Sequence, residues 1–271
     1  MPADHYENFP VASLLLPARL REPVKALYAF ARSADDIADE GALSDEERLA
    51  GLKRYRAELD AIASGQPTQD PIFLRLRPVI QDYGLPLQLF HDLLDAFTQD
   101  ITKKRYATFA ELMAYCRRSA DPVGRLLLRL FGHEDAKSLA WADGICSSLQ
   151  LINHWQDIAI DWQKGRVYLP QDELARFGIA ETQIAQGRWD AAWAAMMDFQ
   201  IERARAMMIA GRPLAHALPG RIGFELRLIV ASGLRVLDKL QRARGDVFRR
   251  RPVITKRDGP AIFLRAAFGA P

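Results

Sequence analysis

Apolar residues in this chain recur at spacings of three and four, and nowhere do they alternate between hairpin turns. Leu52, Tyr55, Leu59 and Ile62 form one such stripe; Leu226, Val230, Gly233, Leu237 and Leu240 form another. That period lines one face of a helix, whereas a half-buried strand needs a period of two. Helix-start signals agree: Ser44 with Glu47, and Thr108 with Glu111 ahead of Leu112 and Tyr115, have the spacing of capping boxes. Most of Pro17, Pro23, Pro67, Pro71, Pro86, Pro122, Pro170, Pro213 and Pro219 stand where one helical pattern stops and the next begins. No linker, repeat or low-complexity tract interrupts the pattern. The expectation is an all-α chain forming one domain over residues 1–271, with a basic C-terminal region over about 242–271.

A chain of 271 residues that is 49% hydrophobic and 26% charged has material for a sizeable buried core. Its formal charge of +3 gives no ground to expect nucleic acid as a partner. Cys116 and Cys146 lack CxxC spacing, which speaks against a zinc site or a redox pair, and unpaired thiols suit a reducing cytosol. Asp4 and Glu7 stand where a signal peptide would be basic and then apolar, so none is expected. The longest uncharged run, Gly144 to Gln156, contains Ser147, Ser148, Gln150 and Asn153, and is too short and polar to cross a bilayer. The expected location is the cytoplasm, with any membrane contact peripheral, at the inner face.

Two acidic constellations carry the chemical signal. The first is Arg32-Ser33-Ala34-Asp35-Asp36-Ile37-Ala38-Asp39-Glu40. On a helix, Asp35 and Asp39 lie one turn apart on one face, as do Asp36 and Glu40. Val24, Leu27, Tyr28 and Phe30 precede them and read as core. A negative stripe continuing an apolar face is costly unless a cation neutralises it; a solvated helix end before a turn at Gly41 is the plainer alternative. The second is Asn153-His154-Trp155-Gln156-Asp157-Ile158-Ala159-Ile160-Asp161. Asn153, Asp157 and Asp161 recur every four residues, along a stripe of roughly 12 Å. Leu149, Ile152 and Trp155 flank it, so this helix is expected to be largely buried, the alternative being the polar face of an ordinary amphipathic helix.

Together the two motifs supply only hard oxygen ligands. Magnesium prefers such ligands and usually shares its shell with substrate phosphates. Two such helices facing each other would clamp a diphosphate through magnesium, which as a Lewis acid would stabilise the departing group. An apolar, aromatic cavity would receive the carbocation left behind. There is no GxSxG or HExxH, and His5, His91, His133, His154 and His216 show no paired ligand spacing. Lys164, Arg166 and Tyr168 follow the second motif, either to cap diphosphate oxygens or as a solvated loop. Arg32 lies on about the same face as Asp35, to hold phosphate or to pair with the carboxylates. Between the motifs, Tyr115 to Gly124 breaks a helix at Asp121-Pro122-Val123-Gly124, as a kink facing a cavity or as an interhelical turn.

With these motifs the chain resembles the squalene and phytoene synthase family, from His5-Tyr6-Glu7-Asn8-Phe9-Pro10 to about Lys256. The resemblance rests on Tyr28 through Glu40, on Tyr106 to Gly124, and on Gln150 through Asp161 to Arg166-Val167-Tyr168-Leu169-Pro170. It implies an all-α isoprenoid synthase fold around a central cavity, with magnesium at Asp35, Asp39, Asn153, Asp157 and Asp161. The candidate substrate contacts are Arg32, Asp36, Arg117, Lys164, Arg166 and Tyr168. Within the family the opening motif, Pro122-Val123-Gly124 and Asn153-His154-Trp155-Gln156-Asp157 resemble the bacterial hydroxysqualene synthases. These remove diphosphate from presqualene diphosphate and let water quench the rearranged cation, so no nicotinamide is expected. The departures point the same way: many members that condense two prenyl diphosphates carry arginine where this chain has Gln156, and tyrosine where it has Arg117. Asp121 stands where close relatives usually have asparagine, which leaves the role of that position open.

The competing expectations are head-to-head condensation of two prenyl diphosphates, and a non-catalytic helical binding protein. From Arg242 to Arg257 the chain carries Arg242, Arg244, Arg249, Arg250, Arg251, Lys256 and Arg257 against Asp246. Such a cluster is drawn to anionic membranes. Phe248, Val253, Ile262, Phe263, Leu264 and Phe268 add apolar groups, so peripheral membrane contact is expected here. The alternatives are a solvated tail, pairing with acidic residues of the domain, or contact with the diphosphate. Enzymes of the same pathway are further expected partners.

Overall fold

The computed structural model describes residues 16–268. Their helical periodicity becomes α1 (Ala18–Asp39), α2 (Asp45–Ala63), α3 (Pro71–Tyr83), α4 (Leu87–Thr102), α5 (Phe109–Ser119), α6 (Asp121–Phe131) and α7 (Ala136–Gln163). There follow α8 (Gln171–Arg176), α9 (Glu181–Ala185), α10 (Ala191–Gly211), α11 (Leu214–Ala217), α12 (Gly220–Arg242), a 3₁₀ turn (Lys256–Asp258) and α13 (Gly259–Phe268). Among the described residues there is no strand; Arg105 and Val167 make an isolated parallel bridge. The all-α expectation holds. The opening motif from His5 to Pro10 lies outside the described residues.

Local chemistry explains most of the boundaries. Ser44 and Glu47 form the full capping box that opens α2, with Ser44 N donating to Glu47 at 2.8 Å and Glu47 N donating to Ser44 Oγ at 3.2 Å. Thr108 makes only half of one: it accepts from Glu111 N, but the Glu111 carboxylate accepts from Ala107 N and Lys103 instead. Prolines cap or open α1, α3, α4, α6, α8, α11 and α12, where a missing N–H costs nothing. Pro23 departs from the expectation. It sits inside α1, its ring buried beside Leu20, Val24 and Leu27.

The Pro122 break is an interhelical turn. Ala120 joins α5 to α6, and Pro122 takes the first turn of α6. A side chain at Gly124 would bring its Cβ to 2.6 Å from Cys146 Sγ, so glycine here lets α6 lie against α7 and leaves no cavity at that point. Asp121 becomes a buried tie between the same helices, accepting from Ser147 Oγ at 2.7 Å.

Buried apolar residues form two main clusters. One joins α1 to α4, with the Phe30 ring edge-on to Phe73 and Phe90 at 5.8 and 5.2 Å. The other is built largely on α7, α10 and α12 around Trp155 and Trp193. α6 serves both: Leu126 and Leu130 face the first cluster, Leu128 the second. Helix α7, about 40 Å long, packs along α10 closely enough that a Cβ on Gly211 would meet the Trp141 carbonyl at 2.5 Å. The C-terminal ends of α1 and α4 are thereby brought to the C-terminal half of α7.

Candidate active site

The apolar stripe of α1, Leu20, Val24, Leu27, Phe30, Ala34 and Ala38, is buried, and the first acidic motif grows out of its end. Arg32 pairs with Asp36 at 2.7 Å and with Asp35 at 3.6 Å, so it neutralises part of its own helix. The second motif stands on α7, with Ile152, Trp155 and Ile158 buried behind it. Asn153, Asp157 and Asp161 are half-buried along that stripe.

The turn after α7 closes one motif onto the other. Gly165 turns the chain at positive φ, and Lys164 and Arg166 then reach Asp39 of α1 at 2.9 and 2.5 Å. Arg166 Nε also donates to the Asp100 carbonyl at the end of α4. Asp39, Lys164 and Arg166, all read from the sequence as site residues, therefore meet. Asp157 is paired with Arg251 from the segment before the 3₁₀ turn.

The charges are unevenly compensated. Burial alone would raise Asp39, but hydrogen bonds from Arg166 and Lys164 outweigh it and hold its pKa below the usual carboxylate value. Asp161 has no such hydrogen-bond donor among the described residues: burial and then the Asp157 charge push it up to about 8, with the Arg166 and Lys164 charges offsetting only part. Burial and the Asp39 charge push Asp35 up to about 7. The Asp39 charge acts on Asp35 along its own helix and on Asp161 across from it. The two motifs thus share one electrostatic field.

Behind them lies an aromatic wall. His154 stacks on Tyr168 with ring centroids 3.7 Å apart, and Tyr168 stacks on Tyr106 at 5.6 Å. Burial, followed by the Arg166 charge, lowers His154 to about 3, so its ring is neutral. The hydroxyls of Tyr115 and Tyr168 both donate to the Asp100 carboxylate at 2.8 Å. Asp100 is itself buried, and that burial pushes it up to about 6 against the pull of Arg166 and the two tyrosines.

Three placements differ from the sequence reading. Arg117 is exposed on α5, and the carboxylate its charge acts on is Asp121; the structure does not bring it to the two motifs. The C-terminal arginines are not one free patch. Arg251 reaches Asp157, Arg249 pairs with Asp246 while remaining 85% exposed, and Arg244 lies over the Trp189 ring. Two of the apolar groups assigned to membrane contact face inward, Phe248 against Trp193 and Ile262 against α12. Asp100 was missed altogether. Its available signal was an acid continuing the buried face of α4 after Leu93 and Ala96, spaced by three and four. Gln156, at the place where many relatives carry arginine, is buried and donates to the Pro252 carbonyl.

Comparison with known proteins agrees with this architecture. The squalene/phytoene synthase family profile matches residues 3–258. The chain is 36% identical over 266 residues to a hydroxysqualene synthase of Rhodopseudomonas palustris, covering 97% of this chain and 87% of the relative. It is 30% identical over 267 residues to a phytoene synthase of Arthrospira platensis, covering 93% and 85%. The crystal structure of squalene synthase HpnC from Alicyclobacillus acidocaldarius superposes with a TM-score of 0.82 at 37% identity, covering 89% of this chain and 90% of that one. With the isoprenoid synthase fold, a match running through both acidic motifs and relatives similar over nearly their whole length, this chain belongs to the squalene/phytoene synthase family of isoprenoid-synthesising enzymes acting on prenyl diphosphates.

Proposed function

We propose that the enzyme converts presqualene diphosphate to hydroxysqualene. The observation that carries the reading is the opposition of Asp35 and Asp39 on α1 to Asp157 and Asp161 on α7, bridged by Lys164 and Arg166. Similarity to hydroxysqualene synthases over most of the chain favours this product.

The donor set fits magnesium. Among the described residues no group of three His, Cys, Asp or Glu side chains forms a ready cage, and magnesium does not need one, because it fills its shell with phosphate oxygens and water. Asp161 is a hard-oxygen donor whose negative charge is desolvated and undercompensated, the condition a divalent cation relieves, and the half-exposed Asp35, raised by its neighbour Asp39, adds a second such donor. Asp35, Asp39, Asn153, Asp157 and Asp161 would hold it. When bound, magnesium supplies Lewis-acid stabilisation of diphosphate as a leaving group.

The chain's own residues do the rest. Lys164, Arg166 and Arg251 are strong donors now resting on Asp39 and Asp157. A diphosphate offers them more acceptor oxygens than one carboxylate, so they transfer to it and fix its position. The carbon–oxygen bond to diphosphate breaks with its electron pair leaving on oxygen. The cation forms in front of the wall of Tyr168, Tyr106 and Tyr115, where the Asp100 carboxylate held by the Tyr115 and Tyr168 hydroxyls contributes negative charge from behind. Neutral His154 adds no repulsion. A water oxygen then bonds to the rearranged cation and loses one proton to the departed diphosphate.

The test is incubation with presqualene diphosphate and magnesium in oxygen-labelled water, with products identified by mass spectrometry. Hydroxysqualene carrying the label is expected. Unlabelled alcohol, or no turnover of presqualene diphosphate, overturns the reading. Similarity to a phytoene synthase supports a second one: turnover of two prenyl diphosphates, with presqualene diphosphate untouched, would establish head-to-head condensation instead.

A further inference from the structure

Three cations follow one another in the turn between α4 and α5, and the fold neutralises two of them. Lys103 pairs with Glu111 and Arg105 with Glu181. Lys104, half-buried between them, pairs with no carboxylate among the described residues. Its Nζ donates to the Asp100 carbonyl at 2.9 Å, the same oxygen that accepts from Arg166 Nε at 3.0 Å. Burial lowers the Lys104 pKa and the Arg166 charge lowers it further, while the charges of Asp45, Asp100 and Asp39 offset only part. Two cations thus share one neutral acceptor, close to Asp39, which Lys164 and Arg166 already occupy. Nothing in the run Lys103-Lys104-Arg105 marks its middle member; the partners of its neighbours do.

The backbone fixes this neighbourhood. Arg105 and Val167 form the parallel bridge, and Val167 N donates to the Lys104 carbonyl at 2.9 Å. The Arg105 guanidinium spans from that carbonyl to the Gly165 carbonyl, at 2.8 and 2.6 Å. In extended segments, side chains two residues apart share a face. The bridge that stacks Tyr106 on Tyr168 therefore also sets Lys104 beside Arg166. The plainer role for Lys104 is a helix cap, since a cation at the carbonyl end of α4 is favoured by the helix dipole. That accounts for one cation. It does not account for Arg166 on the same carbonyl, because like charges brought together repel. Neighbouring cations are stable where one polyanion takes them all, and a diphosphate offers oxygens to several at once.

We propose that Lys104 is a further diphosphate-binding residue of this enzyme, completing with Lys164 and Arg166 a cationic rim beside the acids that would hold magnesium. The inference rests on the proposed function only in taking a diphosphate as the bound group, whichever prenyl chain carries it. When Lys104 Nζ moves to a diphosphate oxygen, the Asp100 carbonyl keeps Arg166 Nε and is not left without a donor. The move therefore leaves no buried acceptor unsatisfied.

The probe is inorganic diphosphate with magnesium, titrated calorimetrically into the full chain and into its Lys104→Gln and Lys104→Arg variants. Removing one charge-assisted contact is expected to weaken diphosphate binding about tenfold in Lys104→Gln. Lys104→Arg, which keeps the charge, should restore most of it. Melting of Lys104→Gln in chelator should hold or rise, because the repulsion from Arg166 is relieved. A Lys104→Gln protein that binds magnesium diphosphate as the wild type does overturns the proposal. So does weakened binding that Lys104→Arg fails to restore, together with a lower melting temperature of Lys104→Gln in chelator, which is the behaviour of a helix cap. A wild type that takes up no magnesium diphosphate overturns it along with the metal site. Presqualene diphosphate takes no part in the titration, so failure of the proposed product would leave this result standing.

Discussion

Asp161 carries a charge that its surroundings disfavour, since burial and the neighbouring Asp157 together push its pKa up to about 8. Asp161→Asn removes that charge while keeping the shape of the side chain. Metal-free stability at pH 8 should therefore hold or rise, whereas most substitutions at half-buried positions lower it. Turnover should fall roughly a hundredfold or more, the usual scale for losing one group that stabilises a developing charge. Thermal melting in chelator and steady-state turnover with magnesium check the two halves. A variant that loses both stability and activity would make Asp161 a structural residue. Asp100 shows the opposite economy. It is buried more deeply, but the hydroxyls of Tyr115 and Tyr168 and the charge of Arg166 compensate it, so its substitution would orphan donors and not relieve repulsion.

Among the elements, the segment between α12 and α13 ties the site to the C-terminal helix. Asp258 is its anchor. It accepts from Arg235 Nε at 2.8 Å, from Lys239, and from Thr255 through both N and Oγ1 at 2.7 and 2.8 Å. Burial would raise its pKa, but these donors hold it well below the carboxylate range. Its stabilising contribution is thus complete above about pH 4 and is lost as acid protonates it. Asp258→Ala strands two cations and should cost about 3 kcal/mol. It should also open the chain between Arg249 and Arg257 to trypsin, since Arg251 on Asp157 and Gln156 on Pro252 hold the same segment only at its start. Unchanged melting together with unchanged cleavage would mean the segment is held elsewhere. This tie was invisible in the sequence, and the reason is physical. Helices announce themselves through a local period, and Asp35, Asp39, Asp157 and Asp161 through spacing within one helix. The partner of Asp157 lies 94 residues away, and those of Asp100 lie 15 and 68 away. Nothing local distinguishes Arg251 from its neighbours Arg249 and Arg250, so which arginine pairs with an acidic residue of the domain stayed open until the fold placed Arg251 on Asp157.

Over the whole molecule the net charge is only +3, yet the fold gathers carboxylates where ionisation is costly, and that concentration sets how stability depends on pH. Asp35 and Asp121 are pushed up to about 7 and Asp161 to about 8, burial being the largest cause in each. In the unfolded chain these groups titrate near 4. Between those limits the folded state holds protons that the unfolded state has released, so stability falls as pH rises. His154 opposes this at lower pH. Its folded value of about 3 lies below the unfolded value near 6.5, so the unfolded state binds the extra proton and stability rises with pH until about 6.5. Above that point its effect is spent and the carboxylates act alone. With the half-exposed Asp35 discounted for solvent screening, the metal-free enzyme should lose on the order of 2 kcal/mol between about pH 6.5 and 8, most of it from Asp161, and level off beyond as Asp161 finishes titrating. Inorganic diphosphate with magnesium should flatten the decline, because cations at Asp35 and Asp161 remove the cost of their ionisation. Melting temperatures across that range, in chelator and then with magnesium and diphosphate, read both effects. A metal-free profile that is flat or rises between pH 6.5 and 8 would mean that the two acidic helices do not share a desolvated field, and the case for a cation between them would go with it.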